Sequence, residues 1–137
     1  IVNKGSQDIT IALSVGLQIS FAEAEEQKKR FGLDENPKYP KAKEITQSTL
    51  DYIFFEINNV VLSYEKKYNN SVSKVILTGG GVMLKNFMEI APKKFGTEVG
   101  LGNPFSKIQS PAFLEGVLAE SGPEFGVAAG LALRKLN

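Results

Sequence analysis

The run Lys74-Val75-Ile76-Leu77-Thr78-Gly79-Gly80-Gly81-Val82-Met83-Leu84 passes from a short apolar segment, through three glycines, into residues spaced for a helix. Lys74 to Leu77 is rich in β-branched residues and reads as a buried strand. From Val82 through Phe87, apolar residues recur at helical spacing, which predicts a helix reaching about Ala91. A strand that turns through glycines into a helix can bring bare backbone up to a ligand, with amides at the helix start facing it. A plain tight turn would use the same residues. Pro92 is expected to open a fresh turn, because inside a helix it costs on the order of 3 kcal/mol.

Composition narrows the chemistry around that turn. The 137 residues suffice for one ordinary domain, and 42% hydrophobic with 23% charged residues are globular values. Sixteen basic against fifteen acidic residues leave a net charge of +1, which gives no reason to expect a nucleic-acid partner. The sequence has no cysteine, so disulfides and thiolate metal sites are excluded, and a reducing cytoplasm is a fitting setting. It has no histidine either, which removes imidazole bases, Ser-His-Asp triads and most zinc sites. No apolar run approaches the roughly 20 residues that cross a bilayer, and no signal peptide is visible.

Working outward, Ser6-Gln7-Asp8 reads as a helix start, followed by Ile9, Ala12, Leu13 and Gly16 or Leu17 on one face. Ser20-Phe21-Ala22-Glu23 has capping-box form and opens a polar helix from Phe21 to Phe31, stopped by Gly32. Residues 33–40 hold two prolines and read as a loop. From Lys41 to Tyr68 the longest periodic segment runs through Ile45, Thr49, Ile53, Ile57, Val60, Val61, Tyr64 and Tyr68. As a helix it would be about 40 Å long. Thr97 to Leu101 is a second strand, left by a turn at Gly102-Asn103-Pro104-Phe105. Ala112 to Glu120 reads as a helix. Ser121-Gly122-Pro123 starts a last one, with Gly126, Ala129, Gly130 and Leu133 on a stripe that predicts close backbone packing.

Two strands separated by a helix make one βαβ unit with a parallel pair. Val75-Ile76-Leu77 offers apolar groups to both faces, so it is expected to be central, with neighbours on each side. Ile1-Val2 could be the stub of one. With so few strands, and Ile1 in place of an initiator Met, the chain is expected to be the C-terminal piece of a larger α/β domain.

The 74–84 run resembles the adenosine motif of the actin, Hsp70 and sugar-kinase ATPase fold. Pro123-Glu-Phe-Gly-Val-Ala-Ala-Gly-Leu-Ala-Leu-Arg134 is similar to that fold's second connecting helix. Gly5-Ser-Gln-Asp-Ile-Thr, Ile19-Ser-Phe-Ala-Glu-Ala-Glu-Glu-Gln-Lys28 and Gly102-Asn-Pro-Phe105 add a likeness to the PilM family of type IV pilus assembly, and next to FtsA-like division actins. The division actins end in an amphipathic tail; here the chain stops just after Arg134-Lys135-Leu136, which favours PilM.

The resemblance implies an α/β fold: the C-terminal part of an actin-like ATPase (ribonuclease H-like) lobe, with short parallel strands and flanking helices, incomplete without upstream strands. Residues of about 19–70 would form a helical subdomain, and 1–18 with 71–137 the core of the lobe. It further implies an adenine-nucleotide-binding scaffold of pilus assembly, this chain supplying the adenosine side of the interlobe cleft. ATP or ADP would be the ligand. Mg would be held by residues upstream of this chain, where the family's phosphate loops lie. Weak or no hydrolysis is implied, with no catalytic residue here. A division actin, or an active ATPase or sugar-kinase relative, is the alternative. Expected partners are the rest of the actin-like domain and inner-membrane pilus proteins such as PilN. The location would be cytoplasmic, peripheral to the inner membrane through those partners, without insertion.

The residues carried over are Gly79, Gly80, Gly81 and Met83 at the nucleoside wall, with Glu25 and Lys28 matching the Glu-x-x-Lys pair that flanks ribose and adenine. Three residues apart, Glu25 and Lys28 share a helix face, so the carboxylate can accept from hydroxyls while the lysine stem covers a base. Both would equally suit a solvated charged face, with Glu23, Glu26, Lys29 and Arg30 close by. Asn103 reads as a turn former.

Overall fold

The computed structural model describes residues 2–106 and 111–134. Among them, the elements in order are α1 (Ser6–Leu17), α2 (Phe21–Phe31), α3 (Ala42–Tyr68), β1 (Lys74–Leu77), α4 (Phe87–Phe95), β2 (Glu98–Leu101), α5 (Glu115–Ser121) and α6 (Gly126–Arg134). Three 3₁₀ turns, Gly80–Met83, Ala112–Leu114 and Gly122–Phe125, punctuate the chain.

The helix ends follow local chemistry. Gly5 caps α1, its amide donating to Asp8 Oδ2 at 2.8 Å. At α2 the Ser20 hydroxyl accepts from the Glu23 amide at 3.2 Å. The Glu23 carboxylate does not complete the expected capping box. It accepts instead from Lys38 Nζ at 2.7 Å and Tyr39 Oη at 2.5 Å, because an ammonium is a stronger donor than one exposed amide. The loop beneath is ordered by Asn36, which is buried. Its amide donates to Gln27 at 2.9 Å, and its oxygen accepts from the Lys38 and Tyr39 amides.

The long helix α3 has the expected ends but a different buried face. Ala42, Thr46, Leu50 and Phe54 form its inner line, while Val60, Tyr64 and Tyr68 are exposed. The apolar stripe is broad, and α1 selects the part it can cover. Ile45 and Ile53 flank the core there, with Leu13 and Ile9 of α1 at its centre. Phe54 then reaches α4, stacked on Phe87 at 5.6 Å and edge-on to Phe95 at 5.2 Å, pairs worth about 0.5–1.5 kcal/mol each.

β1 and β2 pair in parallel, Lys74 opposite Glu98 through Leu77 opposite Leu101, with α4 as the crossover. Among the described residues β1 has this one neighbour, and Ile76 is exposed on its outer face. Val2 belongs to no strand, and Ile1 lies outside the described residues. Two expectations about the glycine junction need correction. The turn enters a single 3₁₀ turn, broken at Leu84, and α4 begins only at Phe87 after Asn86 in left-handed conformation. Pro92 sits inside α4 rather than starting a new turn. Its ring removes one helical hydrogen bond, and burial of Ala91 and Phe87 beside it outweighs that loss.

At the C-terminal end, Gly126 lets α6 approach Thr78: a Cβ there would stand 3.1 Å from Thr78 Cβ. Ala129 is buried, but Gly130 faces open space, so the small-residue stripe packs only over its first half. The Leu133 side chain, and Lys135 and Leu136, lie outside the described residues.

One contact fixes the loop after α2 against the segment that follows the glycine turn. Gly32 (φ +55°) lies so close to Lys85 that a Cβ would come within 2.7 Å of its amide nitrogen and 2.8 Å of its carbonyl oxygen. The Leu33 amide donates to that carbonyl at 3.3 Å, and Asp34 pairs with Lys85 Nζ at 2.5 Å. Gly32→Ala is therefore expected to destabilise by about 3 kcal/mol, combining left-handed strain with a backbone clash. Urea denaturation checks this; a loss below about 1 kcal/mol would show that the two segments separate freely.

Candidate functional site

Three pieces of chain meet beside the glycine turn: the first turn of α1, the exposed face of α2, and Gly80–Met83. A cleft of about 610 Å³ opens between them, with Glu25, Lys28, Lys29, Gly80, Met83 and Glu124 among its walls. Four of the six residues expected from sequence therefore share one cavity. Gly79 and Gly81 are in the same turn but serve its shape.

Gly79 has φ +94° and ψ 161°, a conformation essentially closed to other residues. Its amide donates to the Pro123 carbonyl at 2.5 Å, which brings the 122–125 turn, and Glu124 with it, to the cleft. Gly81 lets α1 approach: a Cβ would lie 3.2 Å from Ser6 Cβ. Gly80 alone is bare towards the cavity, with nothing within 4 Å of where its Cβ would stand. Met83 is part-exposed over the same space.

On the facing wall the two charged residues of α2 have different surroundings. The Lys28 side chain is only 7% exposed. Its ammonium donates towards Glu25 Oε2 at 2.7 Å, Thr10 Oγ1 at 2.9 Å, Ser6 Oγ at 3.0 Å and the Ser6 carbonyl at 3.2 Å. Four oxygens thus share its three protons. Thr10, fully buried, donates its own hydroxyl proton to Glu25 Oε2 at 2.6 Å. Glu25 is 31% exposed, and its other oxygen lies 3.6 Å from Lys29 Nζ, which is 74% exposed. Partial burial pushes the Glu25 carboxyl upward. The bonds from Lys28 and Thr10, and the charges of Lys28 and Lys29, outweigh it and hold Glu25 below the ordinary glutamate range. The carboxylate is thus an acceptor-only group at the edge of the cleft, one oxygen engaged by Lys28 and Thr10 and the other 3.6 Å from Lys29.

A family model described as type IV pilus assembly protein PilM matches residues 3–136. The chain belongs to the PilM family. A solved structure, the PilM-PilN type IV pilus biogenesis complex, shares the fold at TM-score 0.80 and 24% identity, over 96% of this chain. The match covers 37% of that chain, so this PilM family member spans little more than a third of the length of its structural relative. Its α/β architecture, with the short parallel pair and flanking helices, is that of the PilM fold. No curated protein matches the chain. Among the described residues, no helix is long and apolar enough to cross a membrane, and no group of acidic side chains is arranged to hold a metal ion.

Ser6, Thr10, Lys29 and Glu124 were not expected at the site. Ser6 and Thr10 had a readable signal: they continue the face of Leu13 and Leu17 towards the helix start, putting hydroxyls where the stripe would be apolar. Glu124 had none, since tertiary contacts such as the Gly79–Pro123 bond and the approach of Gly126 to Thr78 bring it there. Asn103 is the turn former expected, its Oδ1 accepting from the Phe105 amide at 3.1 Å.

Because the fold lowers the Glu25 pKa, the stability it contributes is complete above the ordinary glutamate value of 4.5 and is lost as pH falls through the folded value. Glu25→Gln is expected to cost about 1 kcal/mol at neutral pH, a modest figure for a partly exposed group. Variant and wild type should converge in acid. Urea melts from about pH 7 down to about pH 3 test this; a difference independent of pH would assign the loss to packing.

Proposed function

We propose that this chain forms the adenosine-facing wall of a nucleotide site in a PilM-like actin-fold scaffold of type IV pilus assembly. The observation that carries the reading is the convergence of bare Gly80, Met83 and the ionised Glu25 on one cleft. A flat purine needs an apolar surface, which Met83 supplies, beside backbone it can approach closely, which Gly80 supplies. A ribose needs acceptors for its hydroxyl protons, which ionised Glu25 supplies. Among the described residues lining the cleft, the exposed cation Lys29 lies 3.6 Å from Glu25 and shares the cavity with Glu124, so the phosphates and their Mg would be held elsewhere in the protein.

ATP or ADP is the ligand favoured, and the nucleotide supplies the cleft with a reason for its shape rather than a reaction to catalyse here. By analogy with the relative solved as a PilM-PilN complex, a PilN-like membrane protein is the favoured partner, and would tie the protein to the inner membrane from the cytoplasmic side.

Gly80→Asp tests the site, because Gly80 has room for a side chain and no positive φ to strain. The variant should keep its stability within about 0.5 kcal/mol, the range of neutral surface changes, while losing ADP binding in calorimetry of the full-length protein. Unchanged affinity would remove Gly80 from the site. The 137-residue chain alone is expected to bind ATP far more weakly than the full-length protein, since it offers one wall of the site. Sub-micromolar affinity of this chain alone, on the order of −8 kcal/mol or better, would contradict the division of labour between walls.

A further inference from the structure

Both walls of the cleft lead into one junction. On the first, α2 passes Lys29 and reaches Gly32 within a single turn. On the second, the chain leaves Leu84, which lines the cleft, and the next residue is Lys85. There Gly32 lies against the Lys85 backbone, and the Leu33 amide donates to the Lys85 carbonyl at 3.3 Å. Asp34 closes the crossing. One of its oxygens accepts from Lys85 Nζ at 2.5 Å, and the other accepts from the Asn86 side-chain amide. The Lys85 bond foremost, with the lysine charge and the Asn86 bond, outweighs desolvation and holds the Asp34 carboxyl below the ordinary aspartate range.

The backbone is strained to make this crossing. Among the described non-glycine residues with positive φ, Gln18 and Asn69 end helices, where a left-handed residue is ordinary. Asn86 instead begins one, at φ +63°. Asparagine at a helix start usually turns its side chain onto the helix's own amides. Here that cap is absent, and the side chain goes to Asp34. Gly32, on the other side of the junction, also has positive φ, at +55°. An exposed ion pair adds little to stability, yet a helix cap is given up beside this one. Residues kept in such conformations cluster at ligand clamps and switch regions.

We infer that Asp34 is a positioning residue for the cleft: by strapping Lys85 and Asn86 to the end of α2, it sets the gap between the α2 wall and the Gly80–Met83 wall. This rests on the nucleotide reading of the cleft and deepens it, since a flat base held between two walls is sensitive to their spacing. Dispersion is short-ranged, and an extra gap of about 0.5–1 Å forfeits a quarter to a half of it. Asp34 does not line the cleft and acts through the junction. With the strap released, the walls part at their shared end.

The experiment uses the full-length protein with ADP as the probe. Asp34→Ala, Lys85→Met and the double variant are titrated by calorimetry, at a temperature where circular dichroism shows each folded. Each single change should weaken ADP about fivefold and the double change no further, because each removes the ion pair on which the strap depends. A purely structural role would lower the denaturation midpoint and leave the folded protein's affinity within about twofold of wild type. That result would overturn the inference. Wall spacing is read without ligand, from spin labels on cysteines introduced at exposed Glu26 of α2 and Glu89 of α4. This chain has no cysteine of its own, and any elsewhere in the protein is first replaced by serine. The wild-type distance distribution should be narrow, and broader or longer in Asp34→Ala and Lys85→Met. An unchanged distribution would overturn the inference even where ADP binds more weakly. Should Asp34→Ala fail to fold, Lys85→Met, which removes an exposed ammonium, decides by the same two readouts. Wild type that binds no ADP would sink the reading of the cleft and this role with it. Wild type that binds ADP, with variants equal to it in affinity or spacing, would sink the role alone.

Discussion

A lysine ammonium withdrawn from water must be surrounded by oxygens, and the site of this PilM family member is organised around that requirement. Desolvating the charge costs several kcal/mol unless every proton finds an acceptor. At Lys28 the acceptors come from Ser6 and Thr10 in the first two turns of α1 and from Glu25 in the preceding turn of α2. Two helices are therefore pinned at one point, in one orientation. Apolar packing between Leu13, Ile9 and α3 could tolerate small slides; a shared ammonium with four oxygens around it cannot, because hydrogen bonds weaken steeply with distance and angle. Glu25 is held ionised by the same contacts, so structural and recognition chemistry share a single network.

The opposing wall is shaped by missing atoms. Gly32, Gly79, Gly81 and Gly126 each stand where a Cβ would be strained or would meet neighbouring atoms. Gly32 lets the loop after α2 touch the Lys85 backbone, Gly81 lets α1 reach the turn, and Gly126 lets α6 start against Thr78. Gly80 is the exception, open to the cavity alone. Bare backbone thus allows close approach at Gly32, Gly81 and Gly126 and a positive φ at Gly79, and at Gly80 it is left open to the cleft. The 3₁₀ form of Gly80–Met83 follows from these contacts, since Leu84 and Phe87 must turn inwards to the core while Lys85 meets Gly32.

Element types and their order could be read from periodicity, caps and glycines, because those are local signals. Ser20 and Gly32 each mark a boundary that the fold keeps, and the three glycines close the strand although the helix after them starts later than expected. What periodicity could not supply was the neighbour across the gap. The broad apolar surface of α3 allowed several inner faces, and the positions of α1 and α4 select the line from Ala42 to Phe54. Pro92 was misplaced for a similar reason, since burial of the residues around it is a tertiary fact. Spacing placed Glu25 and Lys28 on one helix face, and the family resemblance singled them out among the charged residues there. Their unequal burial was not legible, because it depends on Ser6 and Thr10 from another helix. The Glu23 capping interaction was diverted by Lys38 and Tyr39, which sequence distance concealed.

The coherence of the cleft as half of a purine site is most directly tested by a crystal structure of the full-length protein grown with ADP. Adenosine density is expected between Gly80 and Met83 on one side and α2 on the other, with a sugar hydroxyl within hydrogen-bond distance of the Glu25 oxygen that Lys28 does not hold. Nucleotide bound away from the glycine turn, or at the turn with Glu25 facing solvent, would contradict that assignment.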